Sequence, residues 1–137
     1  MNIKQCLDKE FLKKIKPDKE LSEKELNEAN YDLEKAKKAL DENDFKWSIV
    51  KSYYAMFHSA KAVLLNLGYK EKKHIAIIAV LEDLNKKGKL ENKFLNYFKA
   101  AMSAREDADY HYSYSEEIAK YEYGCAKEFL EKMKKLI

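Results

Sequence analysis

The sequence predicts an all-α fold, an antiparallel up-and-down helical bundle of four main helices with an additional short N-terminal helix. Three observations predict it. Only three Gly and one Pro occur among 137 residues, so helix-breaking residues are scarce. Apolar residues recur at steps of three and four along most of the chain. Since 46% of the residues are hydrophobic, a chain of this length can bury one core.

The first two helices are predicted from a proline and a capping pattern. Residues 3–16 are expected to form a short helix that ends before Pro17, because the residue before a proline avoids helical dihedrals. The next helix is predicted to begin at Ser22, which has capping-box spacing to Glu25, and to run to about Asp41. Its apolar stripe consists of Leu26, Ala29, Leu33, Ala36 and Leu40.

The third predicted helix, residues 45–67, has the densest apolar pattern, with Asp44 as its N-cap and Gly68 as its terminator. Two apolar stripes lie side by side on it: Phe45, Ile49, Tyr53, Phe57, Ala60, Leu64 and Leu67 on one, and Trp47, Val50 and Tyr54 on the other. An apolar arc this wide predicts a helix packed on two sides. We therefore expect a homodimer.

Three more segments complete the predicted bundle. A fourth helix is expected over residues 73–87 and a fifth from about Glu91 to Tyr110. The apolar pattern lapses after Tyr110, and the capping-box spacing of Ser113 and Glu116 predicts the start of a final helix.

Composition and organisation narrow the class of protein. We assign residues 1–20 to an N-terminal helical extension and residues 21–137 to the bundle domain. The net charge of +3 is spread over interleaved acidic and basic residues, which is typical of a solvated helical surface. No apolar run is long enough to cross a bilayer and no secretory signal begins the sequence, so we expect a cytoplasmic protein that does not bind membranes. Cys6 and Cys125 lack metal-ligand spacing, and we expect no cofactor.

Arg105 is the first candidate site residue. It is the one arginine among 27 basic residues, and it continues the apolar stripe of the fifth helix. A guanidinium offers a planar fork that lysine cannot supply, and burying it is costly unless it finds a carboxylate or faces a cleft. The alternative interpretation is a local ion pair with Asp109, one turn away.

His111 is the second candidate. It follows Arg105 by six residues, so on an unbroken helix the two side chains would diverge by about 120°. They can converge if the helix ends near Asp109, and the lapse in the pattern permits this. An imidazole there suits proton transfer; the alternative is an ordinary surface histidine. Nearby Tyr112 and Tyr114 could stack on bases or be modified, or simply pack the end of the bundle.

The other two histidines are less promising. His58 lies in an apolar helix and is interpreted as structural. His74 follows Glu71 at the Glu-x-x-His spacing of di-iron bundles, but such sites need two of these motifs and further glutamates. We therefore predict no metal site; a metal-binding bundle is the third and weakest hypothesis.

Two segments carry a resemblance to a known family. Residues 52–62, which read SYYAMFHSAKA and are followed by Leu64, Leu65 and Gly68, resemble the long second helix of HEPN domains. Residues 105–110, which read REDADY, resemble the closing half of those domains. The resemblance implies a small helical bundle that dimerises and is commonly encoded beside a minimal nucleotidyltransferase as a toxin–antitoxin pair.

The resemblance, which covers roughly residues 22–136, also implies site residues. Active HEPN proteins are metal-independent endoribonucleases that use an arginine and a histidine at the spacing of Arg105 and His111. Arg105 would stabilise the phosphate charge and His111 would move a proton, with support from Asp109. In some pairs the nucleotidyltransferase adds nucleotide to a tyrosine near this motif, so Tyr110, Tyr112 and Tyr114 are candidate acceptors. The alternative is a non-catalytic HEPN module that binds a nucleotide or a protein partner.

Overall fold

The computed structural model describes residues 1–137 and confirms the all-α helical bundle. The elements in chain order are α1 (Ile3–Asp8), β1 (Leu12–Lys14), α2 (Lys19–Asp41), α3 (Phe45–Leu67), β2 (Tyr69–Glu71), α4 (His74–Lys86), α5 (Asn92–Tyr110) and α6 (Glu116–Lys135). None of the helices combines the length and the apolar character that crossing a membrane requires.

Helix α3 is the centre of the bundle and packs against α2, α5 and α6. Both predicted ends of the helix are confirmed: the Asp44 side chain accepts a hydrogen bond from the Trp47 amide, and Gly68 ends the helix with a φ of 94°. A β-carbon at Gly68 would lie 2.9 Å from the Ile15 carbonyl oxygen, so this position requires glycine. On the second predicted stripe, Val50 is buried but Trp47 is 48% exposed.

The prediction of one helix over residues 3–16 is wrong beyond Asp8. Helix α1 ends there, and the left-handed Glu10, with a φ of 59°, turns the chain into β1. The strand pairs antiparallel with β2, placing Leu12 opposite Glu71. Three-residue strands are too short to show a period of two, so the sequence did not reveal this pairing.

The first 20 residues contribute to the central core. Cys6 and Leu12 are fully buried and belong to a cluster of 23 buried residues that also contains Tyr53, Phe98 and Phe129. Cys125, on α6, lies in the same cluster. The division into an extension and a bundle domain stays a prediction, but these apolar contacts tie the segment to the bundle.

Two predicted helix starts are displaced. Helix α2 begins one turn earlier than expected, because Asp18 accepts a hydrogen bond from the Leu21 amide. Ser22 is instead buried and donates to the Ala62 carbonyl oxygen. Helix α6 begins later than expected, with the Ser115 hydroxyl accepting from the Ile118 amide. In both places a residue other than the predicted one, Asp18 or Ser115, caps the helix by accepting a hydrogen bond from one of its first amides.

A second, smaller core fixes the end of α5. Ala108 packs with Ile49 and Val50 of α3 and with Ala119 of α6. This cluster holds the C-terminal turns of α5 against the central helix. It therefore fixes the position of the backbone that carries Arg105.

Candidate functional site

Arg105 lies at the boundary between core and solvent, with its side chain 19% exposed. Its Nη2 donates a hydrogen bond of 3.3 Å to the Tyr54 hydroxyl. Its Nε lies 3.1 Å from Asp109 Oδ2, but the Nε–H is not directed at an acceptor, so this contact is an ion pair without a hydrogen bond. The alternative interpretation of Arg105 as a partner of Asp109 thus describes one of its contacts.

Three tyrosine rings surround the guanidinium. Its central carbon lies 5.8 Å from the ring centre of Tyr53 and 5.7 Å from those of Tyr54 and Tyr110. Cation–π attraction of this kind favours a charged group that is partly removed from water. The rings hold the guanidinium in place while leaving Nη1 without a partner in the chain and in contact with solvent.

His111 occupies a different environment. It is the C-cap of α5, its side chain is 68% exposed, and its Nδ1 lies 3.1 Å from Asp107 Oδ1. The helix ends where the sequence predicted a break, yet no hydrogen bond or ion pair joins Arg105 to His111 within one chain. Arg105 pairs with Asp109, whereas His111 pairs with Asp107.

The turn that carries His111 folds back over the end of α5. The Asp107 carbonyl oxygen accepts hydrogen bonds from the amides of both His111 and Ser113. Tyr112 lies between them with a φ of 53°, a left-handed conformation that is unfavourable for a residue with a β-carbon. Tyr112 is 81% exposed, and Tyr110 and Tyr114 are also exposed. The turn thus carries three tyrosines that are exposed to solvent.

His74, which the sequence did not indicate as a site residue, joins Arg105, Tyr53 and Tyr54 in one group of contacting side chains, here called the Arg105 cluster. His74, the first residue of α4, forms a 2.7 Å hydrogen bond between its Nδ1 and the hydroxyl of Tyr53. Its ring also packs on Phe57, with ring centres 4.5 Å apart. Burial lowers the pKa of His74, and the positive charges of Arg105 and Lys61 lower it further. The imidazole is therefore neutral near pH 7.

His58, in contrast, is engaged on both sides, consistent with its structural interpretation. Its Nδ1 lies 2.6 Å from Glu25 and its Nε2 lies 3.6 Å from Asp32. Burial raises the pKa of Glu25, but the hydrogen bond from His58 and the charge of Lys61 outweigh this and leave the pKa lowered. No group of His, Cys, Asp and Glu side chains has the arrangement of a metal site.

Sequence reasoning did not indicate that Tyr53, Tyr54 and His74 belong to the site. In the sequence, the two tyrosines fall on the apolar stripes of residues 45–67, and the spacing of Glu71 and His74 resembles only that of a metal site. The sequence did indicate that Arg105 needs partners, because a partly buried guanidinium requires hydrogen-bond acceptors or aromatic rings around it. Which residues supply them depends on tertiary packing.

Comparison with known proteins identifies a family. The family model for the HEPN domain matches residues 22–136. A Methanocaldococcus jannaschii protein named "Putative toxin MJ0605" is 32% identical over 111 residues, which cover 79% of this chain and 76% of that protein. Another protein of the same organism, "Putative toxin MJ0142", is 28% identical over 57% of this chain and 58% of its own length.

Two further similarities agree with the family match. A "UPF0332 protein" of Archaeoglobus fulgidus is 31% identical over 57% of this chain and 62% of its own length. Its match and that to MJ0142 thus span about three fifths of those relatives. The crystal structure of TT1696 from Thermus thermophilus superposes with a TM-score of 0.74 at 17% identity, covering 85% of this chain and 98% of that one. This last likeness concerns the fold.

Proposed function

This chain belongs to the HEPN domain family, and we propose that it acts as the toxin-like subunit of a HEPN and nucleotidyltransferase pair, cleaving RNA without a metal ion at a cleft between two copies. Two relatives named as toxins support the toxin-like role. The observation that carries the chemistry is Arg105, whose guanidinium is fixed by tyrosines and keeps Nη1 free.

The proposed role of Arg105 is to stabilise negative charge on the reacting phosphate. When the 2′-hydroxyl of RNA attacks the adjacent phosphorus, charge accumulates on the non-bridging oxygens. A guanidinium held in place before the reaction stabilises that charge without having to reorganise. Such donors contribute about 10²–10³-fold to a rate in enzymes where one has been removed.

The proposed role of His111 is proton transfer. Its Nε2 has no partner in the chain, and the exposed ring can approach a bound strand. It would take the proton of the attacking 2′-hydroxyl or give one to the leaving 5′-oxygen. Within one chain, Arg105 pairs with Asp109 and His111 pairs with Asp107. In a cleft between two copies, Arg105 of one copy could act together with His111 of the other.

A cleavage assay tests this function. Purified protein is incubated with single-stranded RNA and excess chelator, beside Arg105→Ala and His111→Ala variants. We expect cleavage by the wild type that survives chelation and falls at least about 100-fold in each variant. Cleavage that is unchanged by both substitutions, or that is lost with the chelator, would contradict the proposal.

The proposed dimer has its own test. The half-exposed Trp47 and the wide apolar arc of α3 motivate it. Light scattering at micromolar concentration should give twice the mass of 16.2 kDa calculated for one chain. A monomeric mass at that concentration would count against a cleft between two copies.

The proposed regulation acts through the exposed tyrosines near the motif. A nucleotidyltransferase partner would transfer nucleotide to the hydroxyl of Tyr110, Tyr112 or Tyr114. Intact mass after incubation with the partner and a nucleoside triphosphate should rise by one or more nucleotidyl groups. Single Tyr→Phe variants identify the acceptor, and an unchanged mass in the wild type would exclude this regulation.

A second candidate function is a non-catalytic module that binds a nucleotide or a protein partner. One observation favours it: residues 105–117 contain five carboxylates and one guanidinium, and Asp109 is paired with that guanidinium. A long RNA would be repelled by such a surface unless lysines elsewhere compensate. The cleavage assay separates the two, since this candidate predicts no cleavage by the wild type.

A further inference from the structure

We propose that His74 is a second phosphate-binding residue of the Arg105 site, its Nε2–H and a free Arg105 N–H together holding one phosphoryl group of a nucleotide or RNA strand. This deepens the proposed function, on which it rests for the choice of Arg105 as a phosphate ligand. It adds a residue from α4, a helix that carries neither Arg105 nor His111.

Tyr53 links the two groups. Its ring is fully buried in the middle of α3, with the Arg105 guanidinium 5.8 Å from the ring centre. Its hydroxyl is 2.7 Å from His74 Nδ1. A fully buried core residue therefore contacts both the guanidinium and the imidazole.

The hydrogen-bond network assigns the proton on the imidazole. Burial raises the pKa of Tyr53, so its hydroxyl keeps its proton and needs an acceptor, and the one within reach is His74 Nδ1. A neutral imidazole that accepts at Nδ1 has its own proton on Nε2. Fixing one ring nitrogen in this way is how proteins commonly set the orientation of the other.

The donor that results is available to a ligand. His74 Nε2 has no partner in the chain and is not sealed from solvent, and the same is true of Arg105 Nη1. The packing of the His74 ring on Phe57 and Tyr53 restricts its rotation. Both donors belong to side chains that contact Tyr53, and N–H donors of this kind bind the oxygens of a phosphoryl group.

Two positive charges act on His74, those of Arg105 and Lys61. The Arg105 guanidinium and the His74 ring both contact Tyr53, and burial together with the charge of Arg105 lowers the pKa of His74. Lys61 contributes a second positive charge, although it is shared with Glu25 and Glu71. No side chain caps the start of α4, where His74 is the first residue.

The other two histidines do not offer the same arrangement. Both nitrogens of His58 face carboxylates, Glu25 and Asp32, which an anion would have to displace. His111 is largely exposed and pairs with Asp107. Among the three, His74 is the one whose free nitrogen lies in the cluster built around Arg105.

Binding of uncleavable probes tests the proposal independently of catalysis. Adenosine monophosphate and a short 2′-O-methylated oligoribonucleotide are titrated into the full-length protein, with calorimetry for affinity and histidine side-chain NMR for the Nε2 resonance. We expect the His74 Nε2 resonance to shift with both probes. His74→Phe should weaken binding about tenfold, as expected for one lost hydrogen bond to a charged group.

Matched variants separate binding from folding. His74→Gln keeps an N–H donor near the Nε2 position and should retain part of the affinity, whereas His74→Phe keeps the ring packing but has no donor. His58→Gln changes a histidine of the same bundle and should bind both probes like the wild type. Thermal melts of all three check that the proteins are folded.

The outcomes distinguish the proposal that His74 binds phosphate from the proposed function of Arg105, on which it rests. If Arg105→Ala loses affinity while His74→Phe binds like the wild type, His74 is not a ligand and the Arg105 proposal stands. If the wild type binds neither probe, the phosphate site is overturned, and RNA cleavage is judged by its own assay. If only the oligoribonucleotide binds, the phosphoryl group comes from a strand rather than from a free nucleotide.

Discussion

The two halves of the candidate site differ in how firmly the fold holds them. Arg105, Tyr53 and His74 are anchored on three helices and packed on the central core. His111 and Tyr112 lie on an exposed turn that is fixed mainly by two amides bonded to one carbonyl oxygen. The anchored half is suited to holding a charged group in place, and the turn is suited to meeting a strand, a second copy or a modifying enzyme.

The largest expected difference between the two halves is in how much an alanine substitution lowers the free energy of unfolding. Tyr53→Ala removes a fully buried ring from the main core and should cost about 3–5 kcal/mol in the free energy of unfolding. Tyr112→Ala should change it by less than about 0.5 kcal/mol, because its side chain contacts mostly solvent. Urea denaturation measures both. Equal losses would mean that the turn is as firmly packed as the core.

A second expected effect concerns Glu122 of α6, which lies near the turn. It lines a surface cavity with Asp107, Ser113 and Ile118, its Oε2 is buried without a hydrogen-bond partner, and burial raises its pKa to about 7. Since the unfolded carboxyl ionises near 4.5, stability should fall as the pH rises from about 4.5 to about 7 and then level off.

Glu122→Gln should remove that pH dependence. The wild type should lose on the order of 2–3 kcal/mol relative to the variant between about pH 5 and about pH 8, since each pKa unit corresponds to about 1.4 kcal/mol. Chemical denaturation of both proteins at the two pH values gives the difference. Parallel pH profiles would show that the ionised carboxyl finds a partner in the folded protein.

The smallest expected effect is the contribution of His111 to folding. Its ion pair with Asp107 is exposed and spans one helical turn, so His111→Ala should cost no more than about 0.5 kcal/mol. The same substitution is expected to remove most RNA cleavage. A large loss of stability would instead assign His111 a structural role, and Asp107→Asn serves as the matched control for the ion pair.

The anchored half was the harder one to predict from sequence. The apolar stripe indicated that Arg105 is partly buried, and the lapse after Tyr110 indicated where α5 ends, because both depend on local periodicity. Tyr53 and His74 are 21 residues apart, and Tyr54 and Arg105 are 51 apart. Contacts over such separations arise from packing, which a period of 3.6 residues does not encode.

The same limit explains the misplaced elements of the fold. Asp44 and Gly68 were recognised because each acts on its own neighbouring backbone. The pairing of β1 with β2 joins segments more than 50 residues apart, with Leu12 opposite Glu71. Ser22 looked like a helix cap, but its hydroxyl instead bonds to the carbonyl oxygen of Ala62 on another helix.

The most direct test of the central claim is the single-turnover rate of RNA cleavage, in excess chelator, by wild type and by Arg105→Lys. Lysine keeps the charge but loses the planar fork that Tyr54 and the phosphate would share. We predict a rate at least about tenfold lower with folding intact, corresponding to at least about 1.4 kcal/mol of lost transition-state stabilisation. A lysine variant that cleaves RNA at the wild-type rate would contradict a site built around the guanidinium.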